Sequence, residues 1–599
     1  MSTPAPSLTV PAVALASIQP PPGTQQRIDA LIAAFATDNF TVNPQTDVVL
    51  SGDRIGMVAT HNTATIGTTG VYKKAYYVEG TPFDLGYLIG RIAEPTVSQM
   101  TTTFLDNVVL SFAGVQLDPW LQHIIGAIIA DVAYLGAQRC IPDVPEAYQQ
   151  ELEGIYEGCL AANPHTKVTR DRLWTLNVGI DAALAFIYTL ELPVFKPYAV
   201  PLKPEHFRIP FMCTGYTSQG QKPDGTPFHY FGRDFMFTTA DVFQNTAAPI
   251  IYRPLDGYPM VSLAAPGWMG SITAMNNDGV ACSVNMAPSA LCNSKRPGFN
   301  GLLLARHAIQ NGGTAQAALN LMVQAQRGVS WIHVLSDGGT DTSCIVEAGM
   351  SQETIPFMSY PPASLTGQGG PLAPAAEWVQ NPSTEVQNGL MARWTTYQYP
   401  ETTWPTVNPG MFAAFKANPG AFDYDAAPTY TYTYNEADMG PDAFLDATWT
   451  DRNCPMGLWI SPERRSGQEG MLVATNRFII PEMQLTTMAA PADRMAQRDW
   501  DDVQWRYDEL SRFVWDRLQA NKEVTGSAFL TYDEAKAAAD YLAPQGEFPT
   551  YSNPKNLPLD QVQIGGAVSI MDLKARTMES HYGYYSDEWV MTTLNNYVV

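Results

Sequence analysis

Positive charge is what this chain has least of for its size. Across 599 residues, 35 Lys and Arg face 58 Asp and Glu, a formal net charge of −23, and the basic residues form no cluster. A nucleic-acid or anionic-membrane partner needs grouped cations to meet phosphates, so neither is expected. Cysteine is sparse as well. The seven (Cys140, Cys159, Cys213, Cys282, Cys292, Cys344, Cys454) include no C-x-x-C pair, which argues against a disulfide framework and against a zinc site. Long apolar runs are missing: the strongest candidate, Leu121 to Ala137, carries His123 and Asp131 and is too short to span a bilayer. Met1 to Pro22 is rich in Ala, Pro and Ser without a basic start, so it does not read as a secretory signal. A single glycosylation sequon, Asn39-Phe40-Thr41, carries little weight alone. These absences predict a soluble, cytoplasmic protein with no nucleic-acid partner, no membrane insertion and no metal or redox cofactor.

What is present is an ordinary globular composition, 45% hydrophobic and 11% aromatic. It is enough for one large domain with insertions or for several domains. Residues before about 22 read as a flexible arm, and Arg27 to Thr37 as a short amphipathic helix. Tyr76 to Gly80 reads as a strand. Gly80-Thr81-Pro82 is then a turn with Thr81 as N-cap, and the following helix has glycines that permit close packing. Pro119 to Cys140 and Pro145 to Leu160 read as helices. In the second, Tyr148, Leu152, Ile155, Tyr156 and Cys159 recur along one face as a core stripe. Arg170 to Leu190 is a further helix, and Pro193 to Phe211, with five prolines, an exposed linker.

The stretch with the most chemistry follows. Met212-Cys213-Thr214-Gly215-Tyr216 and Phe228 to Phe235 flank Pro223-Asp224-Gly225-Thr226, and an Asp-Gly between two aromatic, β-branched runs predicts a hairpin. Antiparallel pairing brings Cys213 to the end that carries Arg233 and Asp234. A cation and a carboxylate beside a thiol can lower its pKa and orient its attack. A buried structural cysteine with an ordinary Arg-Asp pair fits the same letters. A second hairpin is predicted about Asn276-Asn277-Asp278-Gly279, ending at Asn285. Helices are expected at Leu302 to Gln310 and Thr314 to Ala325, and strands at Val329 to Leu335 and Thr342 to Ala348. From about 350 to 468 the chain is rich in Pro, Tyr and Trp, with Thr429 to Tyr434 alternating as an aromatic-faced strand. Met471 to Ala474 reads as a strand ending in Thr475-Asn476, Asp493 to Leu518 as a charged amphipathic helix, and Gly565 to Asp572 as a closing strand.

Cys-Thr, a short hairpin and Gly-Arg-Asp, preceded by Gly-Thr-Pro-Phe-Asp-Leu-Gly-Tyr and Leu-Asn-Val-Gly, resemble the isopenicillin N acyltransferase family. The likeness extends to the related choloylglycine hydrolases, within the N-terminal nucleophile (Ntn) cysteine hydrolases. The matches run with gaps from about residue 76 to 585, and their order along the chain is the strongest part of the likeness. The resemblance implies an α+β fold, a four-layer αββα sandwich with a helical N-terminal pro-segment and a long insertion. It divides the chain into an arm and extension (1–75), a pro-segment or α-chain (76–212), a core first half (213–349), the insertion (350–468) and a core second half (469–599). It implies self-cleavage between Met212 and Cys213 into an α/β heterodimer, and is compatible with further assembly into a homo-oligomer. The freed α-amine then assists the thiolate against a small linear amide, through a thioester that passes its acyl group to water or to another acceptor. By resemblance Cys213, Arg233, Asp234, Asn285 and Asn476 are the catalytic set, with the two asparagines as oxyanion donors. Arg506 is either structural or a holder of a substrate carboxylate. Coenzyme A as acyl donor is compatible with the family, though no basic patch supports it.

Two departures stand out. The family's hairpin carries a final Asp where this chain has Met236, so Asp234 is the nearest carboxylate, two residues earlier and about 7 Å back along the strand. Met212 stands where the fungal acyltransferases have glycine. Two other readings fit the residues: a phospholipase B-like lipid amidase or esterase, and a non-catalytic scaffold that keeps the fold.

Overall fold

The structure is a computed structural model. It describes residues 13–14, 22–108, 133–191, 213–236, 242–287, 289, 291–351, 388–395, 470–476, 478–480, 483, 501–541 and 558–598. The N-terminal part supplies β1 (Val13–Ala14), α1 (Pro22–Thr37), β2 (Phe40–Thr41), β3 (Val48–Ser51), β4 (Arg54–Thr65) and β5 (Tyr72–Gly80). Next come α2 (Pro82–Gln99), α3 (Glu146–Ala162) and α4 (Arg170–Trp174), which continues through a π-helical turn into α5 (Ile180–Glu191). The middle of the chain gives β6 (Thr214–Gln221), β7 (Pro227–Met236), β8 (Ala248–Pro254), β9 (Met260–Ala264), β10 (Thr273–Asn276) and β11 (Val280–Met286). Then follow α6 (Gly301–Asn311), α7 (Ala315–Gln324), β12 (Trp331–Asp337), β13 (Thr342–Ala348) and β14 (Leu390–Trp394). The C-terminal part holds β15 (Met471–Ala474), α8 (Asp501–Thr525), α9 (Tyr532–Ala539), β16 (Gly566–Asp572), β17 (Thr577–His581) and β18 (Val590–Thr593).

Among the described residues these strands make two sheets. The larger runs β1-β3-β4-β5-β8-β9-β10-β11-β12-β13-β14, with β2 beside β4; the smaller runs β15-β6-β7-β16-β17-β18. Neighbours are antiparallel except β5 and β8, which run parallel. Parallel neighbours need a long crossover, and here α2 to α5 and the β6–β7 hairpin lie between them in the chain. The sheets face each other: Ser336 Oγ donates to Thr217 Oγ1 at 3.1 Å, and Arg393 Nη2 to the Val473 carbonyl at 3.0 Å. Helix α6 covers the outer face of the larger sheet, where Asn276 Nδ2 donates to the Ile309 and Gly312 carbonyls, both at 2.9 Å. On the outer face of the smaller sheet, Tyr216, Phe228 and Tyr230 pack with Tyr507, Leu510, Val514, Ala535 and Ala538 of α8 and α9.

The motif segments have local physical roles. Thr81 and Asp84 form a reciprocal capping box that starts α2. Asn177 stitches its turn to the 267–269 loop, donating to the Gly267 carbonyl at 3.0 Å and accepting from Met269 N–H at 2.7 Å. Asp181 accepts from Gly301 N–H at 2.8 Å and Trp331 Nε1 at 3.0 Å, anchoring the start of α6; its complete burial pushes its pKa up to about 7. Helices α2 and α3 cross through Gly86, Gly90, Gly154 and Gly158. A Cβ added at Gly90 would stand 2.7 Å from Cys159 N, and one at Gly158 would stand 3.0 Å from Gly90 Cα. Across that crossing the buried Arg306–Glu151 pair ties α6 to α3 by two hydrogen bonds of 2.7 and 2.8 Å.

Two of the segments contribute strands to the larger sheet. The 1–75 segment, expected as an arm and extension, supplies β1 to β4 to the larger sheet, with Val13 and Ala14 already paired to Leu50 and Val49. The 350–468 segment, expected as an insertion over the core, contributes β14, which pairs with β13 along five residues. Its sequence, Leu-Met-Ala-Arg-Trp, places an arginine mid-strand and so masks the strand pattern. That arginine is buried because its guanidinium reaches the facing sheet. The charged helix begins at Asp501 and runs past Leu518 to Thr525. The Pro193 to Phe211 linker and Thr429 to Tyr434 lie outside the described residues. Among those described, no helix is long and apolar enough to cross a membrane.

Candidate active site

The hairpin of β6 and β7 sets the frame. Its turn is held by Asp224, whose Oδ1 accepts from Thr226 N–H at 2.9 Å, and by Gly225 at φ +81°, a conformation that favours glycine. The register then pairs Gly215 with Arg233 and Thr214 with Asp234. Because side chains alternate along a strand, Arg233 shares the inter-sheet face with Cys213, and Asp234 points to the other face, toward α8 and α9. The cation therefore sits on the thiol's side as expected, whereas the carboxylate does not. Asp234 makes no hydrogen bond to Cys213, and both of its buried oxygens lack a partner among the described residues. Burial first, and the nearby Asp540 second, push its pKa up to about 7; Arg233 and Arg506 pull the other way.

Residues far apart in sequence converge on the Cys213 backbone. Its N–H donates to Asn476 Oδ1 at 2.8 Å, and its carbonyl accepts from Arg506 Nη1 at 2.8 Å. Arg506 Nη2 also reaches Asn476 Oδ1, at 3.1 Å. The thiol itself is buried, and its Sγ lies 3.7 Å from the Met236 carbonyl. Met236, the position where a carboxylate was missing, thus neighbours the sulfur through its backbone. Arg233 donates to the Thr214 carbonyl at 2.9 Å, to the Asp234 carbonyl at 2.5 Å and to the Val284 carbonyl, clamping β6, β7 and β11 together.

The two asparagines stand on opposite sides of the gap between the sheets. Asn285 Nδ2 donates to the Thr475 carbonyl at 2.9 Å, and Asn476 Nδ2 to the Met286 carbonyl at 2.8 Å. An amide nitrogen carries two hydrogens, so each retains one beyond its backbone bond. Arg506 is buried beneath Cys213, and the bonds given above engage it with the Cys213 carbonyl and Asn476. Sequence reasoning missed the surroundings of Asp234. Asp540 acts on that carboxyl, and Tyr585, whose hydroxyl is buried without a partner among the described residues, feels the charges of both; no local signal links positions so distant in the chain. Met212 and the bond to Cys213 lie outside the described residues.

No family model matches the chain. A protein of Archaeoglobus fulgidus, described as uncharacterized, is 23% identical over 530 residues, covering 88% of this chain and 66% of its own length. The chain thus spans just under two thirds of that relative. Among solved structures, a Caenorhabditis elegans ortholog of N-acylethanolamine-hydrolyzing acid amidase is similar over 30% of this chain and 69% of its own, at 12% identity and a TM-score of 0.19. A mutant conjugated bile acid hydrolase of Clostridium perfringens is similar over 64% and 92%, at 10% identity and a TM-score of 0.29. At these scores the overlap is too loose to assign a role to any residue.

The unpaired Asp234 carries a pH prediction. Its folded pKa is raised from 3.8 to about 7, so between those values the folded protein binds more protons than the unfolded one. Stability then falls as pH rises through this window and levels off above it. Asp234→Asn should flatten part of that slope and raise stability near neutral pH by on the order of a few kcal/mol. Asp181, raised similarly, keeps the remainder. Urea midpoints measured from acid to neutral pH decide this: identical profiles for the variant and the parent would refute it.

Proposed function

We propose that the chain is a self-processing cysteine hydrolase or acyltransferase of the N-terminal nucleophile kind, acting on a linear amide. The observation that carries the reading is the clamp on Cys213: Asn476 holds its N–H and Arg506 its carbonyl. Clamping the backbone fixes the residue, and its thiol is held by one contact, with the Met236 carbonyl at 3.7 Å. A merely structural cysteine needs no such arrangement. The motif order and the two facing sheets support the same reading.

In the first reaction, Cys213 Sγ attacks the Met212 carbonyl carbon, the peptide C–N bond breaks and a thioester forms. Water hydrolyses it and leaves Cys213 with a free α-amine. That amine, with an ordinary pKa of about 7.7–8.0, suits a base near neutral pH. In turnover it takes the thiol proton as sulfur attacks the substrate carbonyl, then delivers it to the leaving nitrogen. The remaining hydrogens of Asn285 and Asn476 are the donors for the oxyanion, and Arg233 keeps β6 and β11 in register beside the sulfur. The resulting thioester is released by water, or by an amine or thiol acceptor.

Intact mass under denaturing conditions tests this. The parent should separate into residues 1–212 and 213–599, and Cys213→Ala should stay whole and inactive toward amides. One observation favours a second reading, a non-catalytic scaffold: Met236 occupies the carboxylate position, and Asp234 faces away from the thiol. A parent that remains one chain after prolonged incubation would select that alternative.

A further inference from the structure

The larger sheet takes hold of the segment that carries Asn476 at two points, through side chains that have no part in the reaction above. Arg393 of β14 donates from Nη2 to the Val473 carbonyl at 3.0 Å, three residues before Asn476. Glu347 of β13 accepts from Ile479 N–H at 2.8 Å through Oε1 and from Ile480 N–H at 3.1 Å through Oε2, just after Asn476 in the chain. The two holders form one unit. Ile345 faces Arg393 across the β13–β14 ladder, and Glu347 lies two residues further along β13. Side chains two apart share a face, so both point toward the smaller sheet, and Glu347 Oε1 lies 3.7 Å from Arg393 Nε.

Both side chains are buried. Taking a carboxylate and a guanidinium out of water is costly, and apolar side chains of similar volume often serve stability as well or better. What the charged pair supplies instead is direction. A carboxylate offers two oxygens, and here they meet two successive backbone N–H groups, which sets the heading of the chain as well as its position. Arg393 does the same from the other side by fixing one carbonyl of β15.

The backbone held in this way is the one that orients both asparagines. Ala474 still pairs with Gly215 in the smaller sheet, whereas the N–H groups of Ile479 and Ile480 already belong to the larger one. Between these anchors Asn476 turns its Oδ1 to the Cys213 N–H and its Nδ2 to the Met286 carbonyl, both at 2.8 Å. The Thr475 carbonyl accepts from Asn285 Nδ2 at 2.9 Å. A shift of the segment therefore moves Asn476 directly and Asn285 through its partner.

We propose that Glu347, braced by Arg393, is a positioning residue: it sets the backbone after Asn476 so that the two asparagine amides meet the oxyanion beside Cys213. Its purpose rests on the hydrolase reading, because the amides need this placement only where a carbonyl oxygen gains charge. Glu347 itself makes no bond to substrate and moves no proton. Misplacing a donor by about 1 Å costs on the order of a hundredfold in rate. Donors aimed at developing charge act on the transition state more than on the bound substrate, so kcat rather than KM registers the displacement.

The test follows self-cleavage and amide turnover in Glu347→Ala, Glu347→Gln, Asn476→Asp and the double variant Glu347→Ala with Asn476→Asp. Glu347→Ala should lower kcat by about ten- to a hundredfold, with KM within about twofold of the parent's. Glu347→Gln, which keeps an oxygen for the N–H groups, should recover most of that loss. In the Asn476→Asp background the further loss from Glu347→Ala should shrink to about twofold or less, because the donor it positions is already gone. Turnover by Glu347→Ala within about twofold of the parent overturns the role. So does a loss carried undiminished into the Asn476→Asp background, the mark of a purely structural contribution. If Glu347→Ala does not fold, Glu347→Asp, its carboxylate one methylene short, is judged by the same two criteria. A parent that neither cleaves itself nor turns over an amide refutes the hydrolase reading, and a readout independent of activity then decides the positioning alone. In the uncleaved chain (the parent, or Cys213→Ala where the parent cleaves itself), hydrogen exchange of the residue 213 amide reports its bond to Asn476. Adding Glu347→Ala should speed that exchange by about tenfold or more while the amides of α6 keep their protection. Unchanged protection at residue 213 overturns the positioning whether or not the protein cleaves amides.

Discussion

Asn476→Leu should be the most damaging single change at the site, lowering amide turnover and self-cleavage by about 10²–10³-fold. Two groups lose their partner at once, the Cys213 N–H and the Met286 carbonyl, and Arg506 Nη2 loses this contact. Each buried group left unsatisfied costs about 1–3 kcal/mol, so stability should fall as well. Asn476→Asp separates the two effects. It keeps an oxygen for Cys213 and Arg506 but removes the amide donor, so activity should drop with a smaller loss of stability. Self-cleavage followed by mass, turnover by product release, and urea midpoints read all three quantities. Parental activity in Asn476→Asp would remove this asparagine from the list of oxyanion donors.

The second large effect is expected far from the cysteine. Gly158→Ala should destabilise the fold by about 2–3 kcal/mol, although alanine in an unconstrained helix position would gain about 1 kcal/mol over glycine. The sign reverses because the added methyl meets backbone: the Tyr87 carbonyl carbon at 2.9 Å and Gly90 Cα at 3.0 Å. Backbone inside a helix cannot swing aside as a side chain can. The two helices would have to separate along their crossing, which also strains the Arg306–Glu151 tie beside it. Gly158→Leu should leave no soluble, folded chain. A denaturation midpoint in Gly158→Ala equal to the parent's would show that the helices part more easily than this contact implies.

These two predictions differ in how far the sequence foretold them. Asn476 is singled out by the family resemblance, at a strand ending in Thr-Asn, and its Oδ1 accepts from the Cys213 N–H. The α2–α3 crossing was only half visible. The glycines of α2 were read as permitting close packing, but α3 was read through its apolar stripe, and Gly154 and Gly158 were passed over. A Gly-x-x-x-Gly spacing is present in both helices and was the signal available. Strand β14 is hidden for another reason: a five-residue strand with an arginine at its fourth position looks polar until the facing sheet that receives the guanidinium is known.

Asp234 shows the limit most plainly. Reading the hairpin gave its register, and alternation gave the face on which each side chain falls, yet neither told what would lie above that face. Asp540 arrives there from the far end of the chain, and its charge, after burial, pushes the carboxyl toward its neutral form.

From its letters alone the chain determined its hairpins, its capped helices and the identity of the cysteine, the arginines and the asparagines to watch. Those features depend on interactions among residues a few positions apart, which composition and spacing encode. Only the packed molecule decided which backbone atoms of Cys213 are held, which face of β7 meets solvent-free helix, and that Asn285 and Asn476 reach across the gap between the sheets. Such contacts join positions hundreds of residues apart. They arise from how two sheets stack, and no local pattern carries that information.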